Sequence, residues 1–318
     1  MDVRGVRGPG PARLAPLRTV CPARLGAARL GVTALALAAV ASLASACGTH
    51  DPAARPASGQ QHPERLSAAD RAAKQRAVRQ AQIAAAQRWG LARPPLVAPA
   101  PPAQKPVITT REGFEVEGHE AEDLPPVFTT IPTKEKIVFL TIDDGAEKDP
   151  DFLRMMTELK VPYTAFLSDY LVKEDYGHFK QMQSRGVALN NHTLDHPYMP
   201  GLSYEEQKQQ ICGMQNVIEK RYGKRPLLFR PPFGNYNKDT LVAAKACGIS
   251  YAPLWSEEVF VDRWEYREWD RDLHPGDIVL SHFRGTDDWE GTMPDMIRVF
   301  LDKVTEKGYA VARLEDYL

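Results

Sequence analysis

Short apolar runs alternate with helical patterns from residue 107 to residue 318, and this alternation restricts the fold more than any other feature. The first run, 136–142, reads as a buried strand, and further strands are predicted at 163–168, 187–190, 226–229, 249–254, 277–281 and 309–312. A helix is predicted over residues 204–222, where Ser203 and Glu206 have the spacing of a capping box. Strands that alternate with helices in this way form a parallel α/β fold.

The charge of the chain divides it into three segments. Residues 1–47 carry a net charge of +5, residues 48–106 carry +6, and residues 107–318 carry −12. The acidic segment is predicted to be the functional domain, and its charge argues against nucleic acid as a ligand, because phosphate contacts need a basic surface. The basic arm at 48–106 suits an anionic surface such as lipid headgroups or a wall polymer. A solvated, extended arm with no ligand explains its charge equally well.

The N-terminal segment is typical of an export signal. An arginine-rich start is followed by an uncharged run, 30–46, that is rich in Ala and Leu. The small residues before Cys47 resemble the lipobox of bacterial lipoproteins, which predicts a lipid anchor on Cys47 at the outer face of the cytoplasmic membrane. The same residues, Ala44-Ser45-Ala46, also fit an ordinary cleavage site, which would release a secreted protein. An uncleaved anchor is the third interpretation, and all three place the acidic domain outside the membrane.

A helix followed by a proline-rich spacer is predicted between this signal and the domain. Ser67 is the expected N-cap of a helix over 67–89, and six prolines lie within 94–106. Such a proline-rich segment is stiff and extended. The sequence therefore predicts a stalk that holds the domain away from a membrane.

Two adjacent carboxylates, Asp143 and Asp144, follow the first predicted strand. In parallel α/β folds the functional side chains gather at the C-terminal ends of the strands. Adjacent carboxylates repel each other unless a cation or a base role separates them. One is therefore predicted to bind a metal while the other acts as a general base. An Asp-Gly turn without chemistry is the alternative for this pair taken alone.

Two histidines, His192 and His196, follow the third strand. If this stretch makes one helical turn, both rings can face one metal ion. With Asp144 they would form a set of two imidazoles and one carboxylate. Such a set leaves coordination positions open for water and substrate, as a hydrolytic metal site requires.

Two further segments carry candidate catalytic groups. Arg230 is predicted to pair with a catalytic carboxylate and keep it ionised. The stiff Pro-Pro pair after it would present the backbone N–H of Phe233 to an oxyanion, although a rigid turn alone would have the same sequence. His282 ends the predicted strand 277–281 and is suited to act as a general acid, with a purely structural histidine as the alternative.

Taken in order, the motifs TIDDG, HTLDHP, RPPFG and LSH resemble those of the polysaccharide deacetylase family over residues 134–318. This family is also called the NodB homology domain or carbohydrate esterase family 4. The resemblance implies a distorted (β/α) barrel with fewer than eight strands. It also implies a divalent metal, usually zinc and sometimes cobalt or nickel. The resemblance implies that Asp143 is the general base and that Arg230 orients it. Asp144, His192 and His196 would bind the metal, and the backbone N–H of Phe233 would bind the oxyanion. His282 would be the general acid, and Leu280 would line the acetyl pocket.

The implied activity is removal of N-acetyl groups from amino sugars of a cell-wall polysaccharide such as peptidoglycan or a chitin-like polymer. The same site chemistry suits an esterase that removes O-acetyl groups from an acetylated xylan. A glycan-binding wall protein without catalytic activity is the third hypothesis.

One family motif is altered in this chain. The family usually has an Asp that tunes the catalytic His and a Trp that walls the acetyl pocket. Here Glu257, Glu258 or Asp262 takes the place of the Asp, and Trp255 or Trp264 takes the place of the Trp. The sequence leaves the register of this motif open.

Cys212 and Cys247 lie on the predicted helices before and after the segment 226–236. Outside the cytoplasm they could form a disulfide. Two separate buried thiols are an equal alternative, because the sequence does not reveal the distance between their Cα atoms.

Overall fold

The computed structural model describes residues 67–108 and 123–318, and these residues belong to one compact unit. The predicted export signal and Cys47 lie outside the described residues. Within 67–108 and 123–318, no helix is both long enough and apolar enough to cross a membrane.

The described residues contain nine strands, seven α-helices and three short 3-10 helices. The strands are β1 (Val127–Phe128), β2 (Ile137–Asp144), β3 (Thr164–Leu167), β4 (Ala188–Asn191), β5 (Ala252–Pro253), β6 (Glu257–Val259), β7 (Trp264–Tyr266), β8 (Ile278–His282) and β9 (Ala310–Val311). The helices are α1 (Ala68–Arg88), α2 (Pro150–Leu159), α3 (Asp169–Val172), α4 (Tyr176–Ser184), α5 (Tyr204–Tyr222), α6 (Lys238–Ala246) and α7 (Met293–Glu306).

The main sheet has the strand order β4-β3-β2-β8-β6-β7, and β9 also pairs with β2. Every pairing in it is parallel except that of β6 with β7. Single bridges from Asn191 to Phe229 and from Leu228 to Tyr251 continue the sheet beyond β4. The predicted α/β class is confirmed, and a largely parallel sheet of this strand order is of the kind expected for an incomplete barrel.

Some of the helices and strands predicted from the sequence are present and others are not. The capping box at the start of α5 is present, with both reciprocal hydrogen bonds between Ser203 and Glu206. The segment 226–229 makes only isolated bridges, at Leu228 and Phe229, rather than a strand. Pro226 at its start and Pro231 shortly after it have no backbone N–H to donate to a neighbouring strand. Strands β6 and β7 were not predicted, since their charged residues break the apolar pattern that marks a strand.

The sheet has two distinct faces, which we call inner and outer. On the inner face Phe139 packs with Phe166 in one apolar cluster. On the outer face Val138 and Leu140 pack in a second cluster that contains residues of α2 and α7. Because successive side chains in a strand point to opposite faces, Asp143 continues the inner-face series at the C-terminal end of β2.

The predicted helix 67–89 is present as α1, but it lies against the domain. Ala85 and Ala86 are buried in the outer-face cluster, and the side chain of Gln82 donates to the Leu159 carbonyl at 2.7 Å. The proline-rich segment is extended, yet Leu96 forms a parallel bridge with Ala310 of β9. The stalk prediction is therefore corrected for these residues: apolar burial and a strand-like bridge hold them on the domain.

A disulfide joins Cys212 of α5 to Cys247, the C-cap residue of α6. The two Cα atoms are 5.0 Å apart. This resolves the alternative that the sequence left open, and it ties together the helices on either side of the segment that carries Arg230.

Candidate metal and catalytic site

Asp143 and Asp144 both reach the site because the end of β2 departs from regular strand geometry. In a regular strand, adjacent side chains point to opposite faces. Asp144 has a φ of 81°, which is uncommon for a residue other than glycine. As a result, the nearest carboxylate oxygens of Asp143 and Asp144 lie 3.7 and 3.6 Å from the same atom, Nε2 of His192.

His192 and His196 come together in a loop after β4 rather than in a helical turn. Thr193 and His196 have φ values of 72° and 54°, so the helical geometry expected from the spacing is wrong. The loop conformation is supported by the Thr193 hydroxyl, which accepts a hydrogen bond from the His196 N–H at 3.0 Å. The two rings still meet, with their Nε2 atoms 3.1 Å apart.

The three predicted ligand residues, Asp144, His192 and His196, form one compact set. Oδ1 of Asp144 lies 3.6 Å from Nε2 of His192 and 3.5 Å from Nε2 of His196. Ligand atoms about 2.0–2.1 Å from a tetrahedral zinc ion are separated by about 3.3 Å. The observed spacings of 3.1, 3.5 and 3.6 Å therefore fit one cation of this size.

The protonation states in this set also suit a cation. Nδ1 of His192 lies 2.7 Å from the Arg230 carbonyl. That oxygen can only accept, so Nδ1 carries the hydrogen and Nε2 presents its lone pair. Burial lowers the pKa of both His192 and His196 to about 4, which keeps them neutral at pH 7. Oδ1 of Asp144 is buried and has no hydrogen-bond partner among residues 67–108 and 123–318, as expected of an atom whose natural partner is a metal ion.

Asp143 is held by a fully buried arginine. Nη1 of Arg230 donates to Oδ1 of Asp143 at 2.8 Å and to the Thr141 hydroxyl at 2.9 Å. The other guanidinium nitrogens donate to the carbonyls of Pro253 and Leu254 at 2.8 and 2.9 Å. Burial raises the pKa of Asp143 to about 6, although Arg230 opposes this shift. A carboxylate with a pKa near neutrality is suited to accept a proton.

His282 is paired with Glu258, which settles the open register of the altered motif. Nδ1 of His282 lies 3.1 Å from Oε1 of Glu258. Burial alone would lower the pKa of His282, but the hydrogen bond with Glu258 and the nearby aspartates outweigh it and raise the pKa. Asp262 is exposed and pairs with Arg263, and Glu257 alternates with Glu258 onto the opposite face of β6.

Comparisons with known proteins place these residues in a family. The model of the polysaccharide deacetylase family matches residues 130–252. An uncharacterized protein of Streptomyces coelicolor is 40% identical over 199 residues, which cover 61% of this chain and 78% of that protein. A peptidoglycan-N-acetylglucosamine deacetylase of Bacillus cereus is 29% identical over 215 residues, covering 63% of this chain and 96% of that enzyme. The chain belongs to the polysaccharide deacetylase family. It is therefore a deacetylase, a hydrolase that removes acetyl groups.

The fold comparison agrees with this family. The structure of a family 4 carbohydrate esterase from Bacillus anthracis superposes with a TM-score of 0.52 and 25% sequence identity. The match covers 70% of this chain and 98% of that one.

Phe233 and Leu280, two further residues of the deacetylase motifs, lie next to this site. Phe233 has a φ of 61° and its ring stands 4.6 Å from that of His196. Leu280 is buried on β8 two residues before His282 and pairs in register with Thr141. Both therefore border the site.

The two candidate tryptophans differ in position. Trp255 lies 5.7 Å from the guanidinium carbon of Arg230 and close enough to Gly234 to touch a Cβ placed there. Trp264 stacks on Phe300 of α7. The structure brings Trp255 to the site and leaves Trp264 against a helix.

Two residues of this deacetylase site were missed by the sequence reasoning. Nη2 of Arg284 donates to Oδ2 of Asp144 at 2.6 Å, and the Thr141 hydroxyl accepts from Arg230 while donating to the Val279 carbonyl. Arg284 follows the LSH motif by two residues, so its position next to a strand end was the available signal. The only signal for Thr141 was its position two residues before Asp143 in the same strand, which places both side chains on the inner face.

Proposed function

We propose that this deacetylase removes N-acetyl groups from amino sugars of a cell-wall polysaccharide, with peptidoglycan as the first choice. The observation that carries the proposal is the arrangement of Asp144, His192 and His196 with a buried Asp143 and a Glu258-paired His282 beside them. Relatives named for this activity support it: the B. cereus enzyme is a peptidoglycan-N-acetylglucosamine deacetylase. A peptidoglycan-N-acetylmuramic acid deacetylase of Bacillus subtilis is 26% identical over 198 residues.

Asp144, His192 and His196 would hold a divalent cation, zinc in our proposal, with cobalt or nickel as substitutes. Such an ion, when bound, polarises a carbonyl oxygen and makes water a stronger acid. The spacing and neutrality of the two imidazoles and the unpartnered Asp144 oxygen support this assignment.

Asp143 would act as the general base. Its buried position raises its proton affinity, and Arg230 holds the carboxylate in one orientation through Oδ1, which leaves Oδ2 to accept a proton from the attacking water. The backbone N–H of Phe233 would donate to the oxygen that becomes negative as water adds to the amide carbon.

His282 would act as the general acid. With Nδ1–H donated to Oε1 of Glu258, Nε2 of the imidazolium is the position from which a proton can pass to the departing amine nitrogen. The raised pKa of His282 keeps it protonated closer to neutral pH. Leu280 and Trp255 would line the space for the acetyl methyl group.

The test of this function is acetate release by the zinc-reconstituted chain on three substrates: peptidoglycan fragments, chitooligosaccharides and acetylxylan. We expect release from the N-acetylated glycans and loss of at least about 100-fold in kcat for Asp143→Asn. Release from acetylxylan alone would identify an O-acetyl esterase. Zinc binding with no release from any substrate, and glycan binding equal in parent and Asp143→Asn, would identify a non-catalytic binding protein.

We further propose that the chain is exported and anchored by a lipid on Cys47, with secretion as the alternative. The uncharged run before Cys47 and the peptidoglycan-related names of the relatives support an extracytoplasmic location. Detergent partitioning of the parent and of Cys47→Ser tests this. Movement of only the variant to the aqueous phase is expected, whereas identical partitioning would contradict the anchor.

A further inference from the structure

A second group of ligand-type side chains lies on the outer face of the sheet, away from the catalytic residues. Glu257 and Glu258 are adjacent on β6, so their side chains point to opposite faces. Glu258 faces His282 on the inner face. Glu257 therefore points outward, and so does Asp277, which lies two residues before the outer-face residue Val279 of β8.

Glu257, Asp277 and His274 form this group. Each offers one ligand atom, and these atoms all lie within 4.8 Å of one another. Glu257 and Asp277 are 0% and 1% exposed. Two buried carboxylates at this separation repel each other strongly unless a cation or a proton lies between them.

The carboxylate of Glu257 lies against another carboxylate instead of a donor. Both of its oxygens are buried, and no hydrogen-bond donor reaches them within the described residues. The group beside them is the carboxylate of Asp277, with which they can share a proton or a cation. Leaving buried charged oxygens unsatisfied is costly. The carboxylate of Asp277 does have a donor, because its Oδ2 accepts a hydrogen bond from the backbone N–H of His274 at 2.5 Å.

His274 is oriented as metal-binding histidines are. Its Nε2 lies 3.0 Å from Oδ2 of Asp270, and its Nδ1 lies 3.5 Å from Oδ2 of Asp277. A carboxylate that accepts from one ring nitrogen fixes the tautomer and turns the other nitrogen's lone pair toward a metal. The side chain of His274 is 44% exposed, which gives an ion a route from solvent to the buried carboxylates.

We propose that Glu257, His274 and Asp277 form a second divalent-cation site, separate from the catalytic one and structural in role. One imidazole with two carboxylates is a ligand set for zinc or a similar transition metal rather than for calcium, which prefers oxygen ligands alone. A cation here would join the start of β6 to the start of β8 and fix the residue next to Glu258. It would thereby position the Glu258–His282 pair from the opposite face of the sheet.

Zinc stoichiometry of the full chain, measured by equilibrium dialysis and elemental analysis, tests the proposal. We expect two zinc ions per chain in the parent, one in His274→Ala, one in His196→Ala, and none in the double variant that carries both substitutions. His274 is half-exposed, so its loss leaves the core intact. Glu257→Gln, which keeps the side-chain shape, should weaken the second equivalent at least tenfold.

Thermal unfolding with buffered zinc and with chelator adds a readout independent of activity. Zinc should raise the midpoint of His196→Ala but not of the double variant. One zinc equivalent in the parent that disappears in His196→Ala, or a second equivalent unchanged in both His274→Ala and Glu257→Gln, would overturn the second site; the two carboxylates would then share a proton. Zinc binding that is unchanged in His196→Ala would instead contradict the proposed catalytic site, so the two failures are distinguishable.

Discussion

Replacing Arg230 with methionine should destabilise the domain strongly. Arg230 is 0% exposed and satisfies Asp143, Thr141 and two backbone carbonyls through its guanidinium group. The Arg230→Met variant keeps a long side chain in this space. It leaves the Asp143 carboxylate buried without its cation.

The size of the effect follows from these contacts. Breaking a buried ion pair by removing one partner costs about 3–5 kcal/mol. The carbonyls of Pro253 and Leu254 also lose donors, but their cost belongs to the same network and does not simply add. We therefore expect Arg230→Met to lower the free energy of unfolding by about 3–5 kcal/mol. The double variant with Asp143→Asn should regain about 1–3 kcal/mol, since the uncompensated charge is gone.

Urea unfolding in chelator measures these differences without metal binding. Arg263→Met is the matched control, because the exposed Arg263 pairs with two surface carboxylates and stacks on the ring of Phe260; it should lower the unfolding free energy much less than Arg230→Met does. A loss below about 1 kcal/mol for Arg230→Met, or no recovery on adding Asp143→Asn, would refute the view that this pair is a buried, mutually dependent unit.

Three further predictions concern His282, the disulfide and a buried histidine. Glu258→Gln removes the charge that helps to raise the pKa of His282. The basic limb of the kcat–pH profile should therefore move to lower pH, and an unmoved limb would argue against His282 as the acid. Replacing Cys212 and Cys247 by serine opens a loop with a sequence separation of 35 and should cost about 4 kcal/mol in urea unfolding; an equal stability of parent and variant would contradict this. Burial lowers the pKa of His178, so the unfolded chain binds its proton first. The parent should thus lose stability as the pH falls below about 6.5, and His178→Gln should lose less over the same range.

Much of the fold was predictable because β2, β3 and β8 are continuous apolar runs, as strands buried on both faces are. The sequence did not reveal β1, which has only two residues, or β6 and β7, whose charged residues interrupt the apolar pattern. Glu257 is buried in β6, and no local pattern predicts a buried glutamate. The attachment of α1 was also hidden, since its buried face consists mainly of alanines.

The candidate site was predictable as a set of residues but not as a geometry. The spacing of His192 and His196 suggested a helical turn, whereas two residues with positive φ bring the rings together. The choice of Glu258 as the partner of His282 depends on the register of β6 against β8. Register is a property of the folded sheet, and the sequence of one strand does not determine it.

Anomalous diffraction at the zinc edge from crystals of the zinc-loaded chain tests the central claim most directly. We predict a peak about 2.0–2.2 Å from a carboxylate oxygen of Asp144 and from Nε2 of both His192 and His196. Crystals of catalytically active protein with no anomalous peak between these three side chains would contradict the metal-dependent mechanism.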